Sequence, residues 1–342
     1  MRTAIFLPPL PRMSGGLAVL MQVGEHLARL GHEVYFVPRD NLKLDTPVPI
    51  IPWNELCLGP QDLWLVPEGW PNALLPGLSA RARCVVYVQN WAYLLSALPQ
   101  GMHWNQLPVQ FIAVSDPVRW FVREATGAHA PVLRPGIDAN LFFPAPHSDP
   151  AAPVAGPLRV AWMPRKNKAL ARQIREYVDA RRYRSTATTS CRDMEWVEIQ
   201  GRTPAEVAQL LRGAHIFLAT GFPEGCPLPP LEAMASGCVV VGFSGLGGWD
   251  YMRQARPDAP FAFRPWWPLR PERETPWGGN GFFAADADVP GAALALEEAC
   301  RLLRQGGPEL AAVRRNAALT ASAYTPAAQA QTAAYIWKTL TA

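Results

Sequence analysis

Several features that would decide a class at once are missing from this 342-residue sequence. No stretch of 18 apolar residues occurs, so no membrane-spanning helix is expected. The apolar start is broken by Pro8, Pro9 and Pro11, unlike a secretory leader. The six cysteines, Cys57, Cys84, Cys191, Cys226, Cys238 and Cys300, have no paired short spacing, which excludes a zinc site or a disulfide framework and predicts a reducing, cytoplasmic setting. Charged residues make up only 18% and no Lys/Arg run appears, so nucleic acid is not an expected partner. The net charge of +4 favours anionic ligands such as phosphates, or a lipid surface. A G-x-G-x-x-G loop is also absent, which argues against a dinucleotide-dependent dehydrogenase.

Hydrophobic residues reach 49%, ample for two cores. The length exceeds the roughly 250 to 300 residues at which single cores stop growing, so two domains with a cleft between them are expected. Residues 3 to 8 read as a buried strand, Ser14-Gly15-Gly16 opens an amphipathic helix ending at Gly31, and 33 to 37 is again a strand. This is a βαβ unit, and strands at 62 to 66, 84 to 88 and 110 to 114 extend it. Residues 144 to 157, rich in Pro and Ala, read as a linker. A second α/β series follows, with strands at 158 to 163, 194 to 199, 215 to 219 and 238 to 242. Helices are predicted over 168 to 180, from Thr203, whose capping box with Glu206 announces it, and over 229 to 236, 290 to 304, 308 to 322 and 326 to 340. The prolines of 253 to 280 predict a long loop packed by Trp266, Trp267 and Trp277. The fold class is therefore α/β, with tandem doubly wound, Rossmann-like domains.

The segment GFPEGCPLPPLEAMASGCVVVG, 221 to 242, carries the most chemistry. Glu224 and Glu232 flank seven residues that form a proline-rich turn and a helix start. Free N–H groups and the positive end of a helix dipole meet there, where a diphosphate can sit. Pro227, Pro229 and Pro230 offer no N–H, which leaves Gly225, Cys226, Leu228 and Leu231 as donors. Glu232 can accept from vicinal hydroxyls such as those of a ribose, and Glu224 is placed to meet a sugar beyond the phosphates.

This segment resembles the E-x7-E signature of the retaining, GT-B-fold glycosyltransferases of family 4. The resemblance extends to SGGLAVLMQVGEHLARLGHEV at 14 to 34, to FIAVSDPVRWFV and LRPGIDANLFFP, and to Gly247-Gly248-Trp249-Asp250 and Asn280-Gly281-Phe282. It implies a GT-B architecture with two Rossmann-like domains facing a central cleft: an acceptor-side domain at 1–143, a linker at 144–157, a donor domain at 158–325, and a last helix at 326–342 crossing back to the first domain. It implies hexosyl transfer from a nucleotide diphosphate sugar to a glycan or lipid-linked acceptor, with retention, without a metal and without any other cofactor. The leaving diphosphate must then be neutralised by the protein. Arg165, with Lys166 or Lys168 as the point charge, matches the family's cations, although the family spaces them further apart. Gly15 and Gly16 would let backbone approach the donor closely.

One departure from the family concerns the histidine that many members carry after the fourth strand, where this chain has Gln89 and Asn90. Amides can hydrogen-bond sugar hydroxyls but cannot act as acid or base. A front-face mechanism, in which the leaving phosphate takes the acceptor's proton, tolerates that. The same departure keeps a catalytically silent nucleotide-sugar binder open beside the enzyme, while a GT-B epimerase would need acid-base residues that this region lacks. Asp286-Ala287-Asp288 spells a metal motif but precedes a helix and reads as an N-cap. Asp250 is assigned either to the donor or to helix capping. The aromatic segment 91 to 104 reads as a loop, and peripheral membrane contact is suggested by its tryptophans and those of 266 to 277.

Overall fold

The computed structural model describes residues 1–9, 14–40, 44–146, 149–182, 191, 193–263 and 275–341. The chain divides into two compact units, Met1–Gly136 together with Pro326–Ala342, and Ile137–Thr325.

In the first unit β1 (Arg2–Leu7), β2 (Glu33–Pro38), β3 (Leu63–Pro67), β4 (Arg83–Val88) and β5 (Val109–Ala113) form a sheet in the order β2-β1-β3-β4-β5. Every neighbouring pair is parallel. Helices α1 (Gly15–Arg29), α2 (Leu75–Ser79), α3 (Trp91–Ser96) and α4 (Asp116–Thr126) connect the strands. A parallel sheet needs cover on both faces, which is why its strands are continuous apolar runs, with Ile5, Leu65, Val85 and Val86 fully buried. The helix starts are written locally. The Ser14 hydroxyl accepts from Leu17 N at 3.1 Å to open α1, and the Ser115 hydroxyl accepts from Val118 N at 3.4 Å to open α4.

In the second unit β6 (Leu158–Trp162), α5 (Lys168–Arg182), β7 (Met194–Glu198), α6 (Pro204–Arg212), β8 (Ile216–Ala219), α7 (Leu228–Ala235), β9 (Val239–Gly242), β10 (Gly281–Phe283), α8 (Val289–Gln305) and α9 (Pro308–Ser322) follow in chain order. Their parallel sheet runs β10-β9-β8-β6-β7. Side chains alternate between its faces: Leu158, Val160, Ile216, Leu218, Val239 and Val241 pack with α5 and α8 residues such as Ile174 and Leu296. Ala161, Phe217 and Val240 pack on the other face with Leu211, Leu231 and Ala317. The Thr203–Glu206 capping box opens α6 as its sequence predicts.

The final helix, α10 (Pro326–Thr341), belongs to the first unit and packs on α1. The buried His26 and Gln329 meet at 3.2 Å, and the Trp337 indole N–H donates to Thr3 Oγ1 at 3.0 Å. The Arg29 guanidinium lies 2.9 Å from His26 Nδ1. Because guanidinium can only donate, Nδ1 accepts and the neutral ring carries its proton on Nε2. Burial, then the Arg29 charge, lower the His26 pKa accordingly.

Both sheets have the same doubly wound order, and in both the order reverses once, between β1 and β3 and between β6 and β8. Loops leaving the carboxyl ends of such a strand pair turn to opposite faces, which opens a crevice.

Four expectations change. The division between units falls at Gly136/Ile137, and the segment read as a linker at 144–157 is bound to the second unit, where Val154 N donates to Leu303 O at 2.8 Å. Segment 91 to 104 contains α3, opened by the Asn90 side chain, which accepts from Ala92 N at 3.0 Å. The tryptophans expected at a surface are partly core. Trp104 and Trp277 are buried and donate to Leu94 O and Tyr251 O, while Trp266 and Trp267 lie outside the described residues. Only the second aspartate of the D-x-D is a cap, with Asp288 Oδ1 accepting from Gly291 N at 2.9 Å. Asp286 instead accepts from Gly245 N at 2.8 Å.

Candidate active site

The second unit's reversal point gathers the charged residues. The loop after β6 supplies Met163 to Asn167 and the loop after β8 supplies Thr220 to Cys226. Lys166 Nζ bonds Glu224 Oε1 across the two loops, and both side chains are mostly withdrawn from solvent, at 27% and 15% exposed. Asn167 locks the loops together, its Nδ2 donating to Thr220 O at 2.9 Å and to Phe222 O at 3.0 Å. The Thr220 hydroxyl returns a bond to Lys166 O. Asn167 sits at φ +58°, left-handed backbone that asparagine tolerates better than most residues. Sequence reasoning missed it, because both of its partners are backbone carbonyls more than fifty positions away.

Glu232 lies in the second turn of α7, whose first turn carries prolines at 229 and 230 after Pro227 at the cap. Leu228 therefore brings the one N–H that this first turn can offer a ligand. Leu231, counted as a donor on sequence, is fourth in the helix and buried, and its N–H belongs to the helix ladder. Burial pushes the Glu232 pKa up to about 7, against the pull of the Arg165 and Lys166 charges. Among the described residues no hydrogen bond satisfies its carboxylate. Arg165 is exposed, with Nη2 3.7 Å from Met163 Sδ. Lys168 is also exposed, at the first position of α5, and no ion pair among the described residues ties it to either acid. Of the two lysines left open by spacing, it is Lys166 that stands with the acids.

A third loop, after β9, fixes Glu224 from behind. Glu224 N donates to Gly245 O at 2.9 Å, and Gly247 N donates to Glu224 O at 3.0 Å. The approach demands glycine, since a Cβ on Gly247 would stand 1.9 Å from Gly225 O. Gly225 is accordingly buried, whereas Cys226 is half-buried. Asp250 is 1% exposed and accepts from the Tyr324 hydroxyl at 2.5 Å, a partner 74 positions away that was invisible in the sequence.

A cavity of about 20 Å³ lies beneath the Lys166–Glu224 pair, lined also by Met163, Thr220 and Pro227. A larger one of about 690 Å³ borders Arg256, Glu297, Glu298 and Arg301. Those charges already neutralise one another or a neighbour, Arg256 and Arg301 on Glu298 and Arg181 on Glu297, so the larger space lacks the free polar groups of a ligand site. The described residues contain no group of three His, Cys, Asp or Glu side chains placed to hold a metal.

At the carboxyl edge of the first sheet, Gln89 and Glu68 follow β4 and β3. Gln89 is half-buried, its Oε1 2.9 Å from where a Cβ on Gly16 would stand, while Gly15 is exposed. Behind Gln89 the buried carboxylate of Glu68 accepts from Gln89 N at 2.9 Å and Asn90 N at 2.7 Å. Burial raises its pKa to about 7 against those bonds. Glu68 had no signal in the sequence beyond following a strand.

Comparison with known proteins agrees with this geometry. Residues 169–257 match the family model described as glycosyl transferases group 1, a span that holds Glu224, Glu232 and Asp250 but not Arg165 or Lys166. A glycosyltransferase structure from Rickettsia africae superposes with a TM-score of 0.69, at 14% identity over 99% of this chain and 98% of that one. The chain has the GT-B fold of that neighbour, and its residues 169–257 are similar to the group 1 glycosyl transferases. An alpha-1,6-glucosyltransferase from Actinobacillus pleuropneumoniae is 27% identical over 201 residues, 58% of this chain, and the match spans 58% of that relative's length. The catalytic domain of starch synthase IV from Arabidopsis thaliana, solved with ADP and acarbose, superposes with a TM-score of 0.59, at 14% identity over 99% of each chain. In this GT-B frame Lys166, Glu224 and Glu232 occupy the carboxyl edge of the second sheet. No helix among the described residues is long and apolar enough to cross a membrane.

Proposed function

We propose that this chain transfers a hexosyl group from a nucleotide diphosphate sugar to a glycan or lipid-linked acceptor, with retention at the anomeric carbon and without a metal. The observation that carries this reading is the convergence of Lys166 and Glu224, from the loops after β6 and β8, at the one point where the sheet order reverses. Arg165 and Lys166 meet the diphosphate. Glu232, whose carboxylate makes no hydrogen bond among the described residues, takes the ribose hydroxyls, and Glu224 takes hydroxyls of the transferred sugar. The Gln89 amide and the backbone at Gly15 and Gly16 are assigned to the donor as well.

As the bond between anomeric carbon and phosphate oxygen breaks, negative charge grows on the diphosphate and the two cations stabilise it more than they stabilise the ground state. The acceptor hydroxyl oxygen bonds to the same face of that carbon, and its proton passes to the departing phosphate oxygen. No side-chain base is then required, which is compatible with Gln89. In the free protein Lys166 is held by Glu224, so the incoming diphosphate must share or take that ammonium.

Nucleotide release from a panel of nucleotide sugars, by wild type and by Glu224→Ala and Lys166→Ala, tests the reading. Undiminished turnover in both variants would remove its basis. Calorimetric affinity for a nucleotide sugar, with no release on any acceptor, would instead identify a silent binder.

A further inference from the structure

Asp286, the aspartate of the D-x-D that does not cap α8, has a place beside this site. It follows β10 and is half-buried beside the turn Ser244 to Gly247, which follows β9. Its Oδ1 accepts from Gly245 N at 2.8 Å, and the N–H groups of Ser244 and Leu246 and the Ser244 hydroxyl also face the carboxylate. The turn needs such an anchor. Gly245 is left-handed at φ +65°, and Leu246, which has a side chain, lies at φ +72° and ψ −60°, a region that residues with a Cβ seldom occupy. The opposite edge of the same turn grips Glu224 through both of its backbone groups, and Leu246 pairs with Glu224 as a lone parallel bridge. A Cβ on Gly245 would stand 2.7 Å from Glu224 Cβ, so turn and acid touch without slack.

We propose that Asp286 is a positioning residue: by holding the 244–247 turn it sets where the backbone of Glu224 lies, and so where that carboxylate meets the transferred sugar. This builds on the function proposed above. Burial raises the Asp286 pKa while its four donors lower it, so the anchor depends on a carboxylate that is bonded rather than solvated.

The effect is read as a split between turnover and nucleotide affinity, since UDP, GDP or ADP alone would touch Arg165, Lys166 and Glu232 but not Glu224. Asp286→Ala is expected to lower kcat about tenfold to a hundredfold, as a misplaced group does. The Kd of whichever diphosphate stabilises the wild type in a thermal-shift panel should stay within about twofold, the range expected when its contacts are untouched. Asp286→Asn, which keeps an acceptor at Oδ1 for Gly245 N but turns an NH2 toward the other donors, should recover only part of the loss. In a Glu224→Ala background Asp286→Ala should cost nothing further, because two residues acting as one unit are not additive. Additive losses, or diphosphate affinity falling in step with kcat, would overturn the proposal. A crystal structure of Asp286→Ala with the 244–247 turn and Glu224 unmoved would overturn it without any assay. If Glu224→Ala itself turns over normally, it is the proposed function that fails; if Glu224→Ala is impaired and Asp286→Ala is not, only the role of Asp286 falls.

Discussion

The two units share a strand order, yet among the described residues their carboxyl edges hold their glutamates in different ways. At the first unit's edge a buried glutamate, Glu68, has its oxygens occupied by the backbone N–H groups of Gln89 and Asn90 and presents neutral amides outward. At the second unit's edge Glu224 is bonded to a lysine that crosses from the neighbouring loop, and Glu232 is left with a carboxylate that nothing in the described chain satisfies. The same topology thus yields a carboxylate bonded to backbone in one place, and an ion-paired and a desolvated carboxylate in the other. Topology chooses where a site can be; the few side chains at the reversal point choose what it does.

The strongest way to break this contrast is to remove the charged pair. Lys166→Ala or Glu224→Ala should lower nucleotide release about a hundredfold to a thousandfold, the usual cost of losing one transition-state contact. Gln89→Ala, at the matching edge of the first unit, should cost far less in the same assay. Equal losses would mean that the amides are as central as the charges.

The backbone beneath the acids comes next. A Cβ on Gly247 would lie 1.9 Å from Gly225 O and 2.6 Å from Glu224 O, all rigid main chain. Gly247→Ala should therefore destabilise the fold by about 3 kcal/mol, the upper range for overpacking, and lose activity with it. Chemical denaturation with enzyme assay on the same sample reads both.

How much of this was legible in the sequence depended on whether a residue's partners lay nearby. The strands, the Thr203 capping box and the E-x7-E segment could be read because periodicity and capping are local, and both sheets then follow from short right-handed connections. Lys166 could not be told from Lys168, because a residue count does not say which way a side chain leaves a loop before a helix begins. Asn167 and Glu68 went unnoticed, and Asp286 was read as a cap, for a shared reason: each satisfies main-chain groups of a loop far along the chain, and such contacts leave no pattern of residue types. The three-residue β10, opening on Gly281, was too short to alternate visibly.

The two raised glutamates sharpen the comparison through pH. Each has a folded pKa of about 7 against an ordinary 4.5, so each contributes stability that is whole below pH 4.5 and is lost as pH rises toward 7. Replacement should separate them. Glu232→Gln removes a desolvated charge without orphaning a donor, so its melting temperature at pH 8 should equal or exceed that of wild type while affinity for nucleoside diphosphate falls. Glu68→Gln turns an amide NH2 toward the N–H of Gln89 or Asn90, and a lost buried hydrogen bond of this kind costs about 1 to 3 kcal/mol. Melting curves from pH 4 to pH 8 check both, and a stabilised Glu68→Gln would erase the distinction between the two edges.

The smallest effect tests whether the neutral edge takes part at all. Gly16 lies in the first turn of α1 at negative φ, where alanine gains up to about 1 kcal/mol of helix propensity over glycine. Its new methyl meets only the tip of the Gln89 side chain, at 2.9 Å, and that amide can rotate away. Stability should thus change by less than about 1 kcal/mol, in contrast with Gly247→Ala, where the opposing atoms are backbone. Rotation nevertheless takes Gln89 Oε1 from its place beside the glycine loop. A severalfold drop in nucleotide release at unchanged melting temperature is therefore expected of Gly16→Ala. Wild-type turnover in that variant would show that the first unit holds its amides for folding alone, and that the chemistry belongs to the second unit's three loops.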